Sequence, residues 1–600
     1  MADISQIQGW IQESTEIRAS YDSRWAKNLR LMKGIFSEKE RTDSVVRKRS
    51  KIFFRKIWAS VWRITASLYE LYLKDPDTFR IEGRDGFEDP VKARLLQFMV
   101  EYRRDRLMRT QSLFKKFIWG FQNILGLGWT VGKLSWEYNP ETGVDGPRFI
   151  LYPNEQVYPD LSAETKEDMQ YIIFENFMTK SQMEEMGYKN IDEAVATTIP
   201  INELRGVRYA GKTDAAQKSG DNVYPSPGTE GAGGKDGSNI GQRYRVMECF
   251  YREKGRIMFC VNDGKRVTFV DEVESPYGDR YPVIMGECLT EPHKLIGEGF
   301  PEPQEGPQES LNSNLNMRKD NIALLLNRPT YVSKFGGVDY QALANRKTGG
   351  IVLMDDINAI KEADMQDVTR SSYMEAGADE AMMMDMSGVN DALNGMMKNE
   401  KATVAQINYS AGNAKMDLYA AIVGESFLKD FYTQLAYLIQ RFETDEKVFA
   451  IANDKLRNEI GQYGGDIYNI DFEADCIINI GMGAAGREAE IRQTLLAWDR
   501  AIMSNQSAMA MLEIGISPPQ GIRLVDTSQF LSDLLPKLGK KDIGKYFFAA
   551  KPPAQAPGQP GMAAGGGQAN AAMRGSMTPQ VGNNIMPEAN SLQVGGFGGV

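Results

Sequence analysis

ESLNSNLNMRKDNIALLLNR (Glu309–Arg328), followed by PTYVSKFGGVDYQALANRKTGGIVLMDD (Pro329–Asp356), decides how this chain is organised. The first stretch has no proline between Pro307 and Pro329 and reads as one helix. It closes at Arg328-Pro329, because the residue before a proline is pushed out of the helical region. The second stretch changes rhythm: strand, a turn at Gly336-Gly337, short helix, a turn at Gly349-Gly350, strand. MQDVTRSSYMEAGADEAMMMDM (Met365–Met386) is helical again. Two helices therefore bracket a small α/β tip.

Toward the C-terminus, SGVNDALNGMMKNEKAT (Ser387–Thr403) reads as a loop, and Ala402–Phe442 as a long proline-free helix. Val404, Ile407, Ala411, Ala414, Leu418, Ala421, Leu428, Tyr432, Leu435, Ile439 and Phe442 form a narrow apolar stripe at three- and four-residue steps, interrupted by Glu425. Such a helix would be about 60 Å long. Its stripe needs a partner along that length, from the core or from a neighbouring subunit. KVFAIAND and NIDFEADCIINI read as strands, Arg487 to Asn505 as a helix, with further helices to Phe548. The C-terminal tail, from KPPAQAPGQPGMAAGGGQ onward, is low complexity and expected to be disordered.

Toward the N-terminus, Asp3 to Leu73 reads as helical and is ended by Asp75-Pro76; a second helix spans Pro90 to Leu125. RKRSKIFFRKIWASVWRI (Arg47–Ile64) can be a nucleic-acid patch or an amphipathic helix with a solvated basic face. The helix is preferred, since Phe53 or Phe54, Ile57, Val61 and Ile64 keep helical steps. GLGWTVGKLSWEY opens a strand pattern with turns at Asn139-Pro140 and Asp145-Gly146. Strand, loop, strand and a short helix capped by Thr179 or Ser181 come next. Lys212–Gly241 reads as a flexible surface loop, and Tyr244–Val273 as two or three strands. The fold class is α+β, mostly helical.

Composition bounds the chemistry. The chain has 600 residues, 42% hydrophobic and 25% charged, enough for several domains. No apolar run is long enough to span a membrane. The start, MADISQIQGW, lacks a signal-peptide pattern, so assembly in a cytoplasm is expected. Cys249, Cys260, Cys288 and Cys476 form no C-x-x-C pair and read as buried free thiols. The single histidine, His293, rules out a His-rich zinc site within one chain, and no G-x-S-x-G stands to partner it in a triad. No enzymatic activity, cofactor or metal is expected. The net charge of −10 is unusual for a protein that grips phosphates. Either DNA is no ligand, or it is a passenger that must not be held tightly.

Gly481-Met482-Gly483-Ala484-Ala485-Gly486 matches G-x-G-x-x-G between a strand and a helix. A dinucleotide site also needs a second parallel strand ending in an acidic residue. Asp499 lies within reach but in the same helical segment, and no Val/Ile-rich strand comes after it. The preferred reading is a glycine-rich strand-to-helix turn. No P-loop occurs, so energy from ATP would come from another protein.

The order of parts resembles the portal proteins of tailed, especially short-tailed, bacteriophages. SKIFFRKIWASVWRITASLYELYLKDPDTFRIEG, VYPDLSAETKEDMQYIIFENFMTKSQMEEMGY with its Asp160 turn, LNMRKDNIALLLNRPTYVSK and INIGMGAAGREAEIRQTLLAW carry the likeness, over Met1 to Phe548; the tail from Lys551 stands outside it. The resemblance implies a wing (1–300), a first stem helix (301–328), a clip (329–364), a second stem helix (365–386), a tunnel loop (387–403), a long wing helix (404–443), a wing continuation (444–505), crown-like helices (506–550) and a low-complexity tail (551–600). It further implies a ring of twelve subunits at one capsid vertex of the virion, a channel through which double-stranded DNA is packaged and ejected. Terminase, then adaptor or tail proteins, would dock on it, with scaffold and major capsid proteins at the wing. Within that frame Lys334, Tyr340, Arg346 and Lys347 are clip contacts. Lys398, Lys401, Arg318 and Lys319 are weak DNA-channel contacts. Another structural head protein and a dinucleotide-binding enzyme are the alternatives.

Overall fold

The computed structural model describes residues 4–37, 49–73, 78–83, 90–139, 143–194, 244–326 (except 252–254, 263–265 and 279), 330–345 (except 336), a few positions from 353 to 358, 360–362, 369–388, 415–448 (except 445), 473–478 and most of 495–506. Contacts divide the chain into two units, Met1–Thr527 and Ser528–Val600, and every described residue lies in the first. The expected loop 212–241, the turn 481–486 and the helices and tail beyond residue 506 lie outside the described residues.

The N-terminal span is two helices rather than one, α1 (Ile4–Lys33) and α2 (Lys56–Tyr72). Residues 49–55 leave the helical path because their backbone groups bond to side chains of a helix far along the chain. The expected amphipathic helix is thus present only from Lys56, with Ile57, Val61, Ile64 and Leu68 fully buried. Strand β1 (Phe79–Gly83) comes next.

The second expected helix is also split, into α3 (Pro90–Thr110) and α4 (Leu113–Leu127). Ser112, at φ 51°, turns the chain between them. Gly128 ends α4 at φ 84°, and a Cβ there would lie 2.4 Å from the Gly297 carbonyl oxygen. Only glycine meets both conditions.

Strands β2 (Trp129–Asn139), β3 (Val144–Tyr152) and, much later, β9 (Val283–Glu287) form an antiparallel sheet in the order β3-β2-β9. The turn expected at Asp145-Gly146 is not one: both residues pair within β3, opposite Tyr138 and Glu137. The Asp145 carboxylate accepts from Trp136 Nε1 at 2.8 Å, which holds it in the ladder.

A second antiparallel sheet runs β4 (Val157–Pro159), β5 (Tyr171–Met178), β6 (Tyr244–Tyr251), β7 (Arg256–Asn262), β8 (Val267–Glu274) in chain order. Ile172 and Phe174 join the main core, while Tyr171 and Ile173 meet Ile7 and Ile11 of α1. With both faces covered, these strands lose polar alternation. Helix α5 (Lys180–Glu185) is capped by Thr179, in a capping box with Gln182.

Helix α6 (Pro301–Leu326) starts earlier than the proline-free stretch. Pro301 and Pro303 sit in its first turn, where proline is tolerated, and Pro307 lies inside it. The tip holds β10 (Thr330–Val332), α7 (Tyr340–Ala344) and β11 (Ile360–Glu362). The strand paired with β10 is Ile360–Glu362, beyond the expected GIVLMDD. Helix α8 (Thr369–Ser387) returns along α6.

The long helix, α9, is described over residues 415–442. A π turn at Gly424–Leu428 shifts its phase. Leu418, expected in the stripe, is exposed, and the buried apolar set is Met416, Tyr419, Ala420, Val423, Phe427, Leu428, Phe431, Tyr432, Leu435, Ala436, Leu438 and Ile439. The face is wide because α9 runs through the core. Phe117 and Phe149 meet Phe431 edge-on at 4.9 and 5.4 Å, and Phe79 stacks on Tyr432 at 4.1 Å. Its partner over this stretch is its own chain. Residues 446–448 are helical where a strand was expected, and β12 (Ala474–Ile478) pairs with β1. All four cysteines are free and buried.

Candidate functional site

The α6–α8 hairpin and its tip concentrate the exposed apolar side chains and the sequence-derived site residues. The two helices run antiparallel. Ser310 Oγ donates to Asp379 Oδ2 at 2.8 Å, and further along the Arg318 guanidinium lies 4.4 Å from the Tyr373 ring centroid. Leu311, Ala376 and Met383 are buried between and beneath them.

The base of α6 is bound to α1 by an ionic ladder. Arg24 meets Glu302 at 2.8 Å, Lys27 meets Glu305 at 2.5 Å, and Arg30 lies 3.7 Å from Glu309. Both series advance by three or four residues, so each helix presents one face. Burial disfavours the Arg24 charge, but the Glu302 and Glu291 carboxylates more than offset this and hold its pKa above the usual value. Partly exposed pairs of this kind add little stability; they fix orientation.

Higher on α6, residues 50–57 form a strap. The N–H groups of Ser50, Ile52 and Phe54 donate to Asp320 Oδ1 (2.8 Å), Asn316 Oδ1 (2.7 Å) and Asn312 Oδ1 (2.8 Å), and that of Ile57 to Gln308 Oε1 (3.3 Å). Asn316 Nδ2 and Gln308 Nε2 donate back to the carbonyls of Ile52 and Phe54 at 3.0 and 2.6 Å. Two extended residues rise about 6.6 Å and four helical residues about 6 Å, so the two repeats stay in step. The helix acts as a neighbouring strand. Sequence reasoning missed this strap; its one signal was four amide or carboxylate side chains at i, i+4, i+8 and i+12.

Gly388 and Lys415 bring the two ends of the segment 389–414 together. Lys415 Nζ donates to the Asp385 carbonyl at 2.6 Å, and a Cβ on Gly388 would lie 2.9 Å from Lys415 Cβ.

Of the sequence-derived residues, Lys334 and Tyr340 are exposed at the tip. Asp339 caps α7, accepting from the N–H groups of Gln341 and Ala342 at 2.9 and 3.1 Å. Lys319 is exposed on α6, and Arg318 is half-buried in the α6–α8 seam. Arg346, Lys347, Lys398 and Lys401 lie outside the described residues. Around these positions Phe335 is 93% exposed, Leu326 78%, Met374 76% and Leu353 74%.

A cleft of about 600 Å³ lies between α3 and β3, lined by Arg103, Arg106, Lys116, Glu137, Asp145 and Arg148 among others. Most of its charges are internally paired: Arg103 with Glu443, Arg148 with Glu137, Asp145 with Lys447. Lys116 donates to the Phe149 carbonyl at 2.5 Å. The cleft reads as a joint of the fold. His293 is exposed and pairs with Glu164 at 3.2 Å. Among the described residues no helix is long and apolar enough to cross a membrane.

Residues 140–576 match a family model described as Phage SU10 portal protein, well over half of the chain. The match starts after the N-terminal helices and runs past Phe548 into the low-complexity tail, so both ends differ from the resemblance read in the sequence. Among curated proteins, none matches the chain.

Proposed function

The chain belongs to the phage SU10 portal protein family, and from that premise we propose that it assembles a twelve-subunit ring at one capsid vertex. The ring is the channel for double-stranded DNA during packaging and ejection. Terminase docks on it first and adaptor or tail proteins later, while scaffold and major capsid proteins contact the wing. The family is structural rather than catalytic.

In this reading α6 and α8 are the stem, residues 329–364 the clip and 387–403 the tunnel loop; 1–300, 404–443 and 444–505 make up the wing, and 506–550 the crown. The family match carries the proposal. Exposed Phe335, Leu326 and Met374 support it, because large apolar side chains gathered on one hairpin suit contact with another protein chain. Head-to-tail contacts between copies close naturally into a ring. The charge of −10 suits a passage in which phosphates are not held.

The test is negative-stain imaging of the purified protein with mass measurement. Rings with a central hole, at about twelve times the 67.2 kDa chain mass, are the expected result. A monomer or a closed shell overturns the proposal. Replacing Lys398 and Lys401 together by alanine should impair packaging or DNA retention. Alanine at Lys334, Tyr340, Arg346 and Lys347 should weaken terminase binding and leave rings intact.

A further inference from the structure

The strap and α8 lie on different flanks of α6, joined at one point where Lys56 pairs with Glu380 at 3.0 Å, and both flanks are otherwise unfinished. At about 100° per residue, Gln308, Asn312, Asn316 and Asp320 cover one flank, under the strap. Ser310, Asn314 and Arg318 fall roughly opposite, and Ser310 and Arg318 meet α8.

On the strap flank, Ile52, Phe54, Trp58 and Trp62 are each exposed by more than two-fifths, and the two tryptophan rings lie 5.9 Å apart. Arg49, Lys51, Arg55 and Arg63 are exposed on the same segment, while Lys56 is engaged by Glu380 of α8. On the α8 flank, Tyr373, Met374 and Met382 are exposed, with the Glu375 carboxylate beside them and Asp385, which also meets Lys415 at 3.4 Å, at the far end. Ala378, Ala381 and Gly377 keep that surface low, and a Cβ at Gly377 would meet nothing within 4 Å. One flank is aromatic and basic. The other is methionine-rich, small and acidic.

We infer that these two flanks bind each other between copies: the strap flank of one subunit docks on the α8 flank of the next. The inference rests on the ring reading and names the surfaces that make its contact. Charge complementarity selects a second copy of this chain as the occupant. The two flanks are different patches of one subunit, so the contact is head-to-tail and does not stop at a dimer. Methionine is adaptable and packs well on aromatic rings, and the small residues of α8 leave room for the two indoles. A nucleic-acid partner fits less well, because Ile52 and Phe54 offer nothing to a duplex backbone.

Two variants test it, each altered at exposed positions of one flank. The first is Trp58→Glu with Trp62→Glu; the second is Met374→Arg with Met382→Arg. Circular dichroism spectra should match that of the unaltered protein, which shows that each variant folds. In analytical ultracentrifugation at high subunit concentration each variant alone should run at the 67.2 kDa chain mass. An equal mixture should run at about twice that mass, because each variant supplies the flank that the other lacks, and go no further. A variant that keeps the wild-type assembly, or a mixture that stays monomeric, overturns the inference and leaves the ring reading standing. A monomeric wild-type protein overturns both.

Discussion

Asn316 makes, with one side-chain amide, both hydrogen bonds that a β-strand would make to Ile52: its Oδ1 accepts from the Ile52 N–H at 2.7 Å and its Nδ2 donates to the Ile52 carbonyl at 3.0 Å. The strap is therefore held by helix side chains in place of a sheet. Asn316→Leu removes both bonds and Asn316→Asp only the donor. Since the site is partly solvated, the loss for Asn316→Leu should be about 1 kcal/mol. Hydrogen exchange should read it directly: amides of residues 49–55 exchange faster in Asn316→Leu, with Asn316→Asp between it and wild type. Unchanged exchange would mean that the strap is held by something else.

The π turn in α9 is stabilised from outside. Tyr72 donates its hydroxyl to the Ala420 carbonyl at 2.6 Å, and a Cβ on Gly424 would lie 2.5 Å from the same hydroxyl oxygen. Tyr72→Phe leaves that carbonyl buried without its donor and should cost about 1–3 kcal/mol in denaturant unfolding. Gly424→Ala should also destabilise, and by less in the Tyr72→Phe background. A double-mutant cycle without coupling would dismiss the contact as the cause of the turn.

Arg103 and Glu443 form a fully buried, two-pronged pair, with side-chain exposures of 2% and 0%. It ties α3 to the end of α9. Glu443→Ala leaves a guanidinium buried without its counter-charge and should cost about 3–5 kcal/mol. Arg103→Met with Glu443→Leu should cost less than the single change, because neither charge is then stranded. Urea midpoints decide between these outcomes.

Glu287 carries a carboxylate oxygen that is buried and without a hydrogen-bond partner among the described residues, and burial raises its pKa above the ordinary 4.5. A carboxyl whose folded pKa is raised binds its proton more tightly folded than unfolded. Its stabilising share is complete below the unfolded pKa and is lost as pH rises through the folded value. Glu287→Gln should therefore raise the melting temperature at pH 7 to 8, with the gain vanishing in acid below the ordinary 4.5. An equal gain at both pH values would show that the proton is not the cause.

Much of the hairpin was legible in advance. Proline placement marked the end of α6, and the change from helical to strand rhythm marked the tip, because both signals are local. The meander from Tyr244 was legible for the same reason. The strap was not: RKRSKIFFRK keeps helical steps, and the side chains that draw it off the helical path lie about 260 positions away in the chain. Of the proposed site residues, Lys334, Tyr340, Arg318 and Lys319 could be placed, and only the first two share the tip.

The sequence by itself determined the two helices that bracket a small tip, the meander from Tyr244 and the four buried thiols, since propensity, proline geometry and hydrophobicity act over a few residues. It also carried the likeness to a family, which the match over residues 140–576 bears out. The tertiary structure alone decided that α9 is buried on a wide face, that it shifts phase at Gly424, and that Asp145-Gly146 pairs instead of turning. Each of these depends on a partner distant in sequence or on a register set by the whole sheet. Local pattern cannot encode which of several allowed backbone paths finds its hydrogen bonds elsewhere in the fold.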